Sequence, residues 1–154
     1  MHHRLFRLLA LIWAGSQWTI GYLVAPVLFM TLDRINAGHV AGRLFYYEAI
    51  LGCICGILLL TLGNQMVRRG DIAYRRLRWP LLAMLVCTLI GYFALEPLMN
   101  VLRSTAEAHG TDVGHSIYAA RFGMLHAVST VFYGLQSVFA LILVWRLPMV
   151  ARHL

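Results

Sequence analysis

The sequence predicts an all-α integral membrane protein whose four helices run up and down through a bilayer. Residues 8–32 contain no charged side chain, and three further apolar stretches of similar length follow. A helix needs roughly 20 apolar residues to cross a hydrocarbon core about 30 Å thick. Hydrophobic residues make up 60% of the chain and charged residues 12%, a composition that excludes an ordinary soluble globule.

The apolar stretches fit a single domain over residues 1–154, because no linker, repeat or change of composition divides the chain. Pro26 falls inside the first stretch and should kink that helix. The third stretch starts at Trp79-Pro80, where a proline suits the first turn of a helix. The four helices are predicted at about residues 8–32, 44–67, 79–102 and 122–145.

Arginine placement predicts the orientation of the chain. All 13 residues counted as Lys or Arg are arginines. Arg34, Arg43, Arg103 and Arg121 flank two predicted outer loops, at about residues 33–43 and 103–121. The other nine lie on the opposite side, which should be cytoplasmic and should hold both termini. These nine are Arg4, Arg7, Arg68, Arg69, Arg75, Arg76, Arg78, Arg146 and Arg152.

The predicted partner of these arginines is the lipid bilayer. The formal net charge of +7 is compatible with nucleic acid, but the arginines sit at the ends of apolar runs, so nucleic acid is excluded as a partner. The five arginines between helices two and three should instead contact anionic lipid head groups. The expected location is the inner membrane of a bacterium, with several passes across it.

A polar layer is predicted roughly 6–9 Å below the outer ends of the helices, at 1.5 Å per residue. Ionisable groups inside a membrane are costly, so they mark functional sites by default. The simpler interpretation is an ion-pair layer in which two glutamates pair with two arginines and a histidine donates to a carbonyl. The layer comprises Arg43, Glu48, Glu96, Arg121, His126 and Ser129.

A second polar layer lies deeper, where Gln17, Thr88 and Gln136 fall at equal depth on three helices. We expect these side chains to form interhelical hydrogen bonds with a structural role. Gly52 and Gly56 form a small-xxx-small pair on the second helix, which favours close helix packing within the chain.

The second outer loop carries His109, Asp112 and His115, and His39 lies on the first outer loop. Imidazole and carboxylate groups suit zinc or copper. Histidines in a solvated loop are nevertheless the commoner case, and no rigid frame is evident around them. The chain contains none of the usual catalytic motifs, so the sequence favours a non-enzymatic role.

Several segments resemble the bacterial members of the transmembrane-protein-205-like family of four-helix membrane proteins. The most specific pieces are Gly38-x-x-x-Gly42-Arg43-Leu44-Phe45 and Leu125-His126-x-x-Ser129. The resemblance implies a four-helix membrane fold and assigns no chemistry to these motifs. The segments that carry it are 7–15, 21–29, 37–45 with Glu48, and 121–129.

The architecture is also similar to small four-helix haem proteins of the copper-resistance and protoporphyrinogen-oxidase type, which ligate haem through intramembrane histidine. His126 is the only histidine within a predicted helix. One such ligand suffices for a five-coordinate haem, whereas a bis-histidine haem would need a second.

Three hypotheses follow for the function. The leading one is a non-enzymatic inner-membrane protein, packed as an accessory subunit against a larger membrane complex. The second is a haem or metal site centred on His126 and tuned by Glu48 and Glu96. The third is a small cation or metal transporter whose outer polar layer binds the cation.

Overall fold

A computed structural model describes residues 2–148, and within that range the chain is all-α with no strand. Arg152, one of the arginines that set the predicted orientation, lies outside the described residues. Four helices are long and apolar enough to cross a membrane. They are α1 (His2–Thr31), α2 (Arg34–Arg68), α3 (Ile72–Ala108) and α4 (Ala119–Trp145).

All four helices are longer than the apolar stretches that predicted them, and α2 and α3 exceed them the most. α2 begins at Arg34 because the Asp33 carboxylate accepts a hydrogen bond from the Asn36 amide at 3.1 Å and caps the first turn. The same bond holds the pKa of Asp33 below its usual value. α3 continues to Ala108, so the predicted outer loops at 33–43 and 103–121 are mostly helical. Charged residues end the apolar stretch without ending the helix.

α1 and α3 each contain a stretch of π-helix. These stretches are Ile20–Val24 in α1 and Leu89–Leu95 in α3, and Pro26 and Pro97 follow them within two residues. Proline lacks an N–H and its ring clashes with the carbonyl four residues earlier, so a wider turn relieves the contact. The predicted irregularity at Pro26 takes this form. The one before Pro97 was not predicted.

Each helix packs against the next one along the chain, and α4 packs back against α1. The N-terminus, the α2–α3 connection and the end of α4 meet at one end of the molecule, here called the arginine-rich end. There the His3 ring nitrogen lies 2.8 Å from the Tyr74 hydroxyl, and the Arg7 guanidinium donates to the Pro148 carbonyl.

The apolar core fills the half of the molecule next to the arginine-rich end, where Phe6, Leu59 and Leu143 are fully buried. The other half, here called the open half, is less completely packed, and buried residues of this half, such as Ala37 and Met99, lie on α2 and α3. No residue of α1 after Gln17 is buried, and none of α4 before Gln136. Within the described residues, α1 and α4 therefore bury side chains only in the packed half, although Tyr22 of α1 still contacts Tyr133 of α4 just beyond it.

Candidate functional site

The buried polar residues of the described chain lie where the packed half meets the open half. On α1, Gln17 is the last buried residue before the open half, and Gln136 is the first buried residue of α4. On α3, Thr88 immediately precedes the π-helical stretch. We call this set the interior polar cluster, and it consists of Gln17, Glu48, Thr88, Gln136 and Ser137.

Glu48 is the charged member of the interior polar cluster, and only 5% of its surface is exposed. Phe45, one turn earlier on α2, packs edge-on against the Tyr133 ring of α4, with ring centroids 5.5 Å apart. Gly52, one turn later, lies against the Trp13 ring of α1. Residues three and four apart share a helix face, so Glu48 lies on the face that packs against α1 and α4.

Within the described part of the chain, no positively charged side chain pairs with the Glu48 carboxylate. Among residues 2–148, Oε1 of Glu48 is buried without a hydrogen-bond partner, and the side chain forms no ion pair there. An isolated ionised carboxylate is very costly to bury. Glu48 therefore needs a proton, a cation or water to be accommodated at this depth.

Gln17 joins α1 to α4. Its Nε2 donates to Ser137 Oγ at 3.1 Å, and Ser137 Oγ donates to the Tyr133 carbonyl at 2.9 Å. The Tyr133 hydroxyl in turn donates to the Gln17 backbone carbonyl at 2.5 Å. The interhelical bond predicted for Gln17 is present, but its partner Ser137 and the neighbouring Tyr133 were missed. Both belong to α4, whose long apolar stretch gave no signal for either.

The predicted interhelical bonds of Thr88 and Gln136 are absent from the described structure. Thr88 Oγ1 donates to the Met84 carbonyl of its own helix at 3.0 Å, which is the usual way a helical threonine satisfies its hydroxyl. Gln136 Nε2 is buried without a partner among residues 2–148, as are Trp13 Nε1 and Gln17 Oε1. Each such group costs about 1–3 kcal/mol in a dry interior.

Taken with Glu48, these atoms give the interior two unpaired donors and two unpaired acceptors. The donors are Trp13 Nε1 and Gln136 Nε2, and the acceptors are oxygens of Gln17 and Glu48. A water molecule can accept a hydrogen bond from each donor and donate one to each acceptor, whereas a cation can be held only by the two oxygens.

Gly52 and Gly56 allow large side chains to approach α2 within the chain. A Cβ on Gly52 would lie 2.6 Å from Trp13 Nε1, and one on Gly56 would lie 2.7 Å from Leu85 Cδ1. Both distances are shorter than van der Waals contact. The two glycines therefore seat Trp13 of α1 and Leu85 of α3 against the α2 backbone.

The ion pairs predicted for the outer layer differ from those in the structure. Glu96 pairs with Arg103 of its own helix, at 4.0 Å, and Glu48 pairs with no arginine of the described chain. Arg43 and Arg121 are exposed. The cause is the extra length of α3, which keeps Arg103 two turns from Glu96 on a continuous helix. The pairing of both glutamates with Arg43 and Arg121 was therefore wrong.

His126 lies on the exposed surface of α4, and Ser129, one turn later, is half-buried. The His126 ring stacks on Phe122 with centroids 6.0 Å apart and an interplanar angle of 6°. Arg103 lies over the same Phe122 ring, 5.7 Å from its centroid. Glu96 and His126 are thus linked through Arg103 and Phe122, two residues that the sequence analysis did not place in this layer. The predicted bond from His126 to a carbonyl is not formed in the described structure.

A cleft of about 340 Å³ opens between α2 and α3 at the end opposite the arginine-rich end, and we call it the α2–α3 cleft. Arg43 and Tyr46 line its α2 side, and Glu96 and Arg103 line its α3 side. A Cβ on Gly42 would lie 3.8 Å from both Glu96 Oε1 and Arg103 Nη1. The glycine therefore brings the Glu96–Arg103 pair close to the α2 backbone.

The outer histidines pair with carboxylates or backbone rather than with one another. His115 Nδ1 lies 3.3 Å from an Asp112 oxygen, which also faces Arg34. His109 Nδ1 lies 2.7 Å from the Thr105 carbonyl. Residues 2–148 contain no group of three His, Cys, Asp or Glu side chains placed to hold a metal ion. His39 lies within α2, because that helix starts earlier than predicted.

The arginines proposed to contact lipid lie together at the arginine-rich end. All but Arg78 are exposed, and Arg78 is half-buried as the first residue of a regular α-helical turn. Their exposure leaves the side chains accessible to anionic groups. These residues are Arg68, Arg69, Arg75, Arg76 and Arg78.

Four helices of this length and hydropathy make the chain a multi-pass membrane protein. The chain belongs to the family defined by a domain of unknown function, DUF4149, whose profile matches residues 8–108. The matched region contains Gln17, Glu48 and both sides of the α2–α3 cleft, whereas α4 lies beyond it. No curated protein and no solved structure matches the chain.

Proposed function

We propose that this membrane protein binds a proton or a small monovalent cation at Glu48 and moves it across the membrane without catalysing a reaction. The observation that carries the proposal is the Glu48 carboxylate, which is 5% exposed and has no partner for Oε1 among residues 2–148. It lies within a helix long and apolar enough to cross a membrane. Carboxylates in such positions are typical of ion pathways and proton relays.

The uneven packing of the helices supports a route to Glu48 from one side. Between Glu48 and the arginine-rich end, the interior is filled by Trp13, Leu59 and Leu81. Towards the opposite end, α1 and α4 have no buried residue. The π-helical stretches of α1 and α3 also lie in the open half, and π-helical turns recur at functional sites. Access from the open half and closure by the core are what a carrier in one of its two states requires.

His126 in the outer layer is a weaker candidate for the functional centre than Glu48. The haem hypothesis needs Glu48 and Glu96 close to His126, but Glu48 is buried and His126 is exposed. We therefore propose the cation hypothesis with Glu48, rather than the whole outer layer, as the ligand, and the burial of Glu48 without a charged partner among residues 2–148 supports it.

We further propose that the four helices form an up-down bundle in a bacterial inner membrane, with both termini in the cytoplasm. The contacts of His3 with Tyr74 and of Arg7 with Pro148 support this topology, since they bring both chain ends to the arginine-rich loop. A transmembrane-protein-205-like assignment is the finer proposal within the family. It is supported by the Gly38-x-x-x-Gly42-Arg43 run, which borders the α2–α3 cleft.

The test compares Glu48→Gln with Glu96→Gln in proteoliposomes that contain a pH-sensitive dye. Valinomycin and an outward potassium gradient make the vesicle interior negative, which drives proton entry. A parallel series has sodium in place of potassium in the outside buffer, so that sodium is tested as the transported ion. Glu48→Gln should reduce flux to that of protein-free vesicles. Glu96→Gln should keep most of the flux, because Glu96 is paired with Arg103 outside the interior polar cluster.

Infrared titration provides a second measurement that does not depend on transport. The wild-type protein and Glu96→Gln should share a protonated-carboxyl band that Glu48→Gln lacks. Wild-type flux in Glu48→Gln, or an equal loss in both variants, would contradict the assignment of the ion to Glu48. Far-ultraviolet circular dichroism establishes that the variants are folded.

A further inference from the structure

We infer that the α2–α3 cleft binds the phosphodiester head group of an anionic phospholipid. The cleft is separate from the Glu48 site: Gly42 and Tyr46 face it, whereas Phe45 of the same helix packs on α4. The inference therefore stands independently of the proposed cation site. It rests on the charge of the cleft, its hydrogen-bond donors and its depth.

The cleft carries one positive charge that no carboxylate neutralises. Arg103 is offset by Glu96 at 4.0 Å, and His39 faces Glu107 at 3.2 Å. Arg43 lines the cleft, is exposed, and forms no ion pair with any residue from 2 to 148. A singly charged anion balances this surplus. Guanidinium groups bind phosphate oxygens with strong, charge-assisted hydrogen bonds.

Three tyrosines around Arg43 add neutral donors for the same anion. Tyr46, Tyr47 and Tyr92 line the cleft, and Tyr46 and Tyr47 are 44% and 67% exposed. A phenol combines an apolar ring with a polar hydroxyl, which is why tyrosine is enriched at membrane–water boundaries. Their presence around a free arginine favours a ligand that sits at such a boundary.

The position of Arg43 along α2 places the cleft at that boundary. Residues 34–43 of α2 hold three of its charged or imidazole side chains, and the apolar part of the helix starts at Leu44. Head-group phosphates lie at the depth where a helix changes from polar to apolar. The volume of about 340 Å³ suits a head group, and the exposed side chains of Leu89 and Phe93 on α3 offer an apolar surface for the acyl chains.

The test uses the full chain in neutral detergent with added phosphatidylglycerol, and native mass spectrometry counts the bound lipids. Arg43→Gln removes the free charge, and Arg121→Gln removes an exposed arginine that does not line the cleft. Losing a charge-assisted hydrogen bond should weaken phosphatidylglycerol binding about tenfold in Arg43→Gln. Arg121→Gln should bind as the wild-type chain does.

Two further variants keep the inference testable if Arg43→Gln folds poorly. Arg43→Lys retains the charge and should bind more tightly than Arg43→Gln. Tyr47→Phe retains the ring, loses one donor, and should weaken binding by about threefold. Wild-type binding in all three cleft variants would overturn the site. Displacement of the lipid by inorganic phosphate, or equal binding of phosphatidylcholine, would overturn the anionic lipid as its occupant.

Discussion

The contact between Gly52 and Trp13 allows a prediction of stability to be worked from distances. A Cβ at position 52 would lie 2.6 Å from Nε1, 3.2 Å from Cε2 and 3.5 Å from Cδ1 of the indole ring. Non-bonded heavy atoms prefer about 3.5–4.0 Å, so Gly52→Ala requires a shift of roughly 1 Å. Trp13 is fully buried, so its ring can shift only by displacing neighbouring side chains.

Overpacking of this kind typically costs about 1–3 kcal/mol. The alanine regains about 0.5–1 kcal/mol, because glycine is the poorer helix former. We therefore expect Gly52→Ala to lower the free energy of unfolding by about 1 kcal/mol, with an upper limit of about 2.5 kcal/mol. The matched control is Gly134→Ala, since that helical glycine has no atom within 4 Å of an added Cβ. The control should be neutral or slightly stabilising.

Unfolding by sodium dodecyl sulfate in mixed micelles, followed by far-ultraviolet circular dichroism, measures the difference between the two variants. The circular dichroism signal reports helix content and is insensitive to the environment of Trp13, which the substitution itself alters. Equal midpoints for Gly52→Ala and Gly134→Ala would refute the reasoning, because they would show that α1 moves away from α2 without cost.

Two other contacts yield predictions. Tyr133→Phe removes the 2.5 Å bond to the Gln17 carbonyl and should destabilise the chain by about 0.5–1.5 kcal/mol in the same unfolding assay, whereas an unchanged midpoint would mean that water replaces the hydroxyl. Asp33 has a folded pKa below its unfolded value because the Asn36 amide binds the carboxylate, so its cap stabilises α2 above the unfolded pKa and is lost as pH falls through the folded pKa. Over that fall in pH, the amides of residues 36–38 in the wild-type chain should lose protection against hydrogen exchange, measured relative to the intrinsic exchange rate at each pH. Asp33→Asn keeps a capping oxygen, so its protection should not change with pH in this way.

Hydropathy was sufficient to predict four membrane-crossing helices, but it could not locate their ends. α2 begins ten residues before the apolar stretch because Asp33 caps it, and capping depends on one hydrogen bond rather than on hydropathy. The same limit applies to the π-helical stretch before Pro97. A proline predicts an irregularity nearby, but the width of the turn depends on how neighbouring helices pack.

Equal depth along the sequence identified polar residues but could not pair them. Glu48 and Glu96 were assigned to one layer, yet the structure buries the first and pairs the second with Arg103. Depth is one coordinate of a helical residue, and the direction it faces around the helix is another. That direction depends on which faces pack together, as Gly52 and Trp13 do, and a single sequence leaves it undetermined.

The contact between Gly52 and Trp13 also determines which helix the Glu48 side of α2 faces. Gly52 brings α1 so close to α2 that the Trp13 ring covers the face of α2 on which Glu48 lies one turn away. The contact that excludes the carboxylate from solvent on the side of the core is therefore also a stabilising contact of the fold. The same packing closes the proposed site from the arginine-rich end, so the stability of the core and the direction of access proposed for Glu48 have one physical cause.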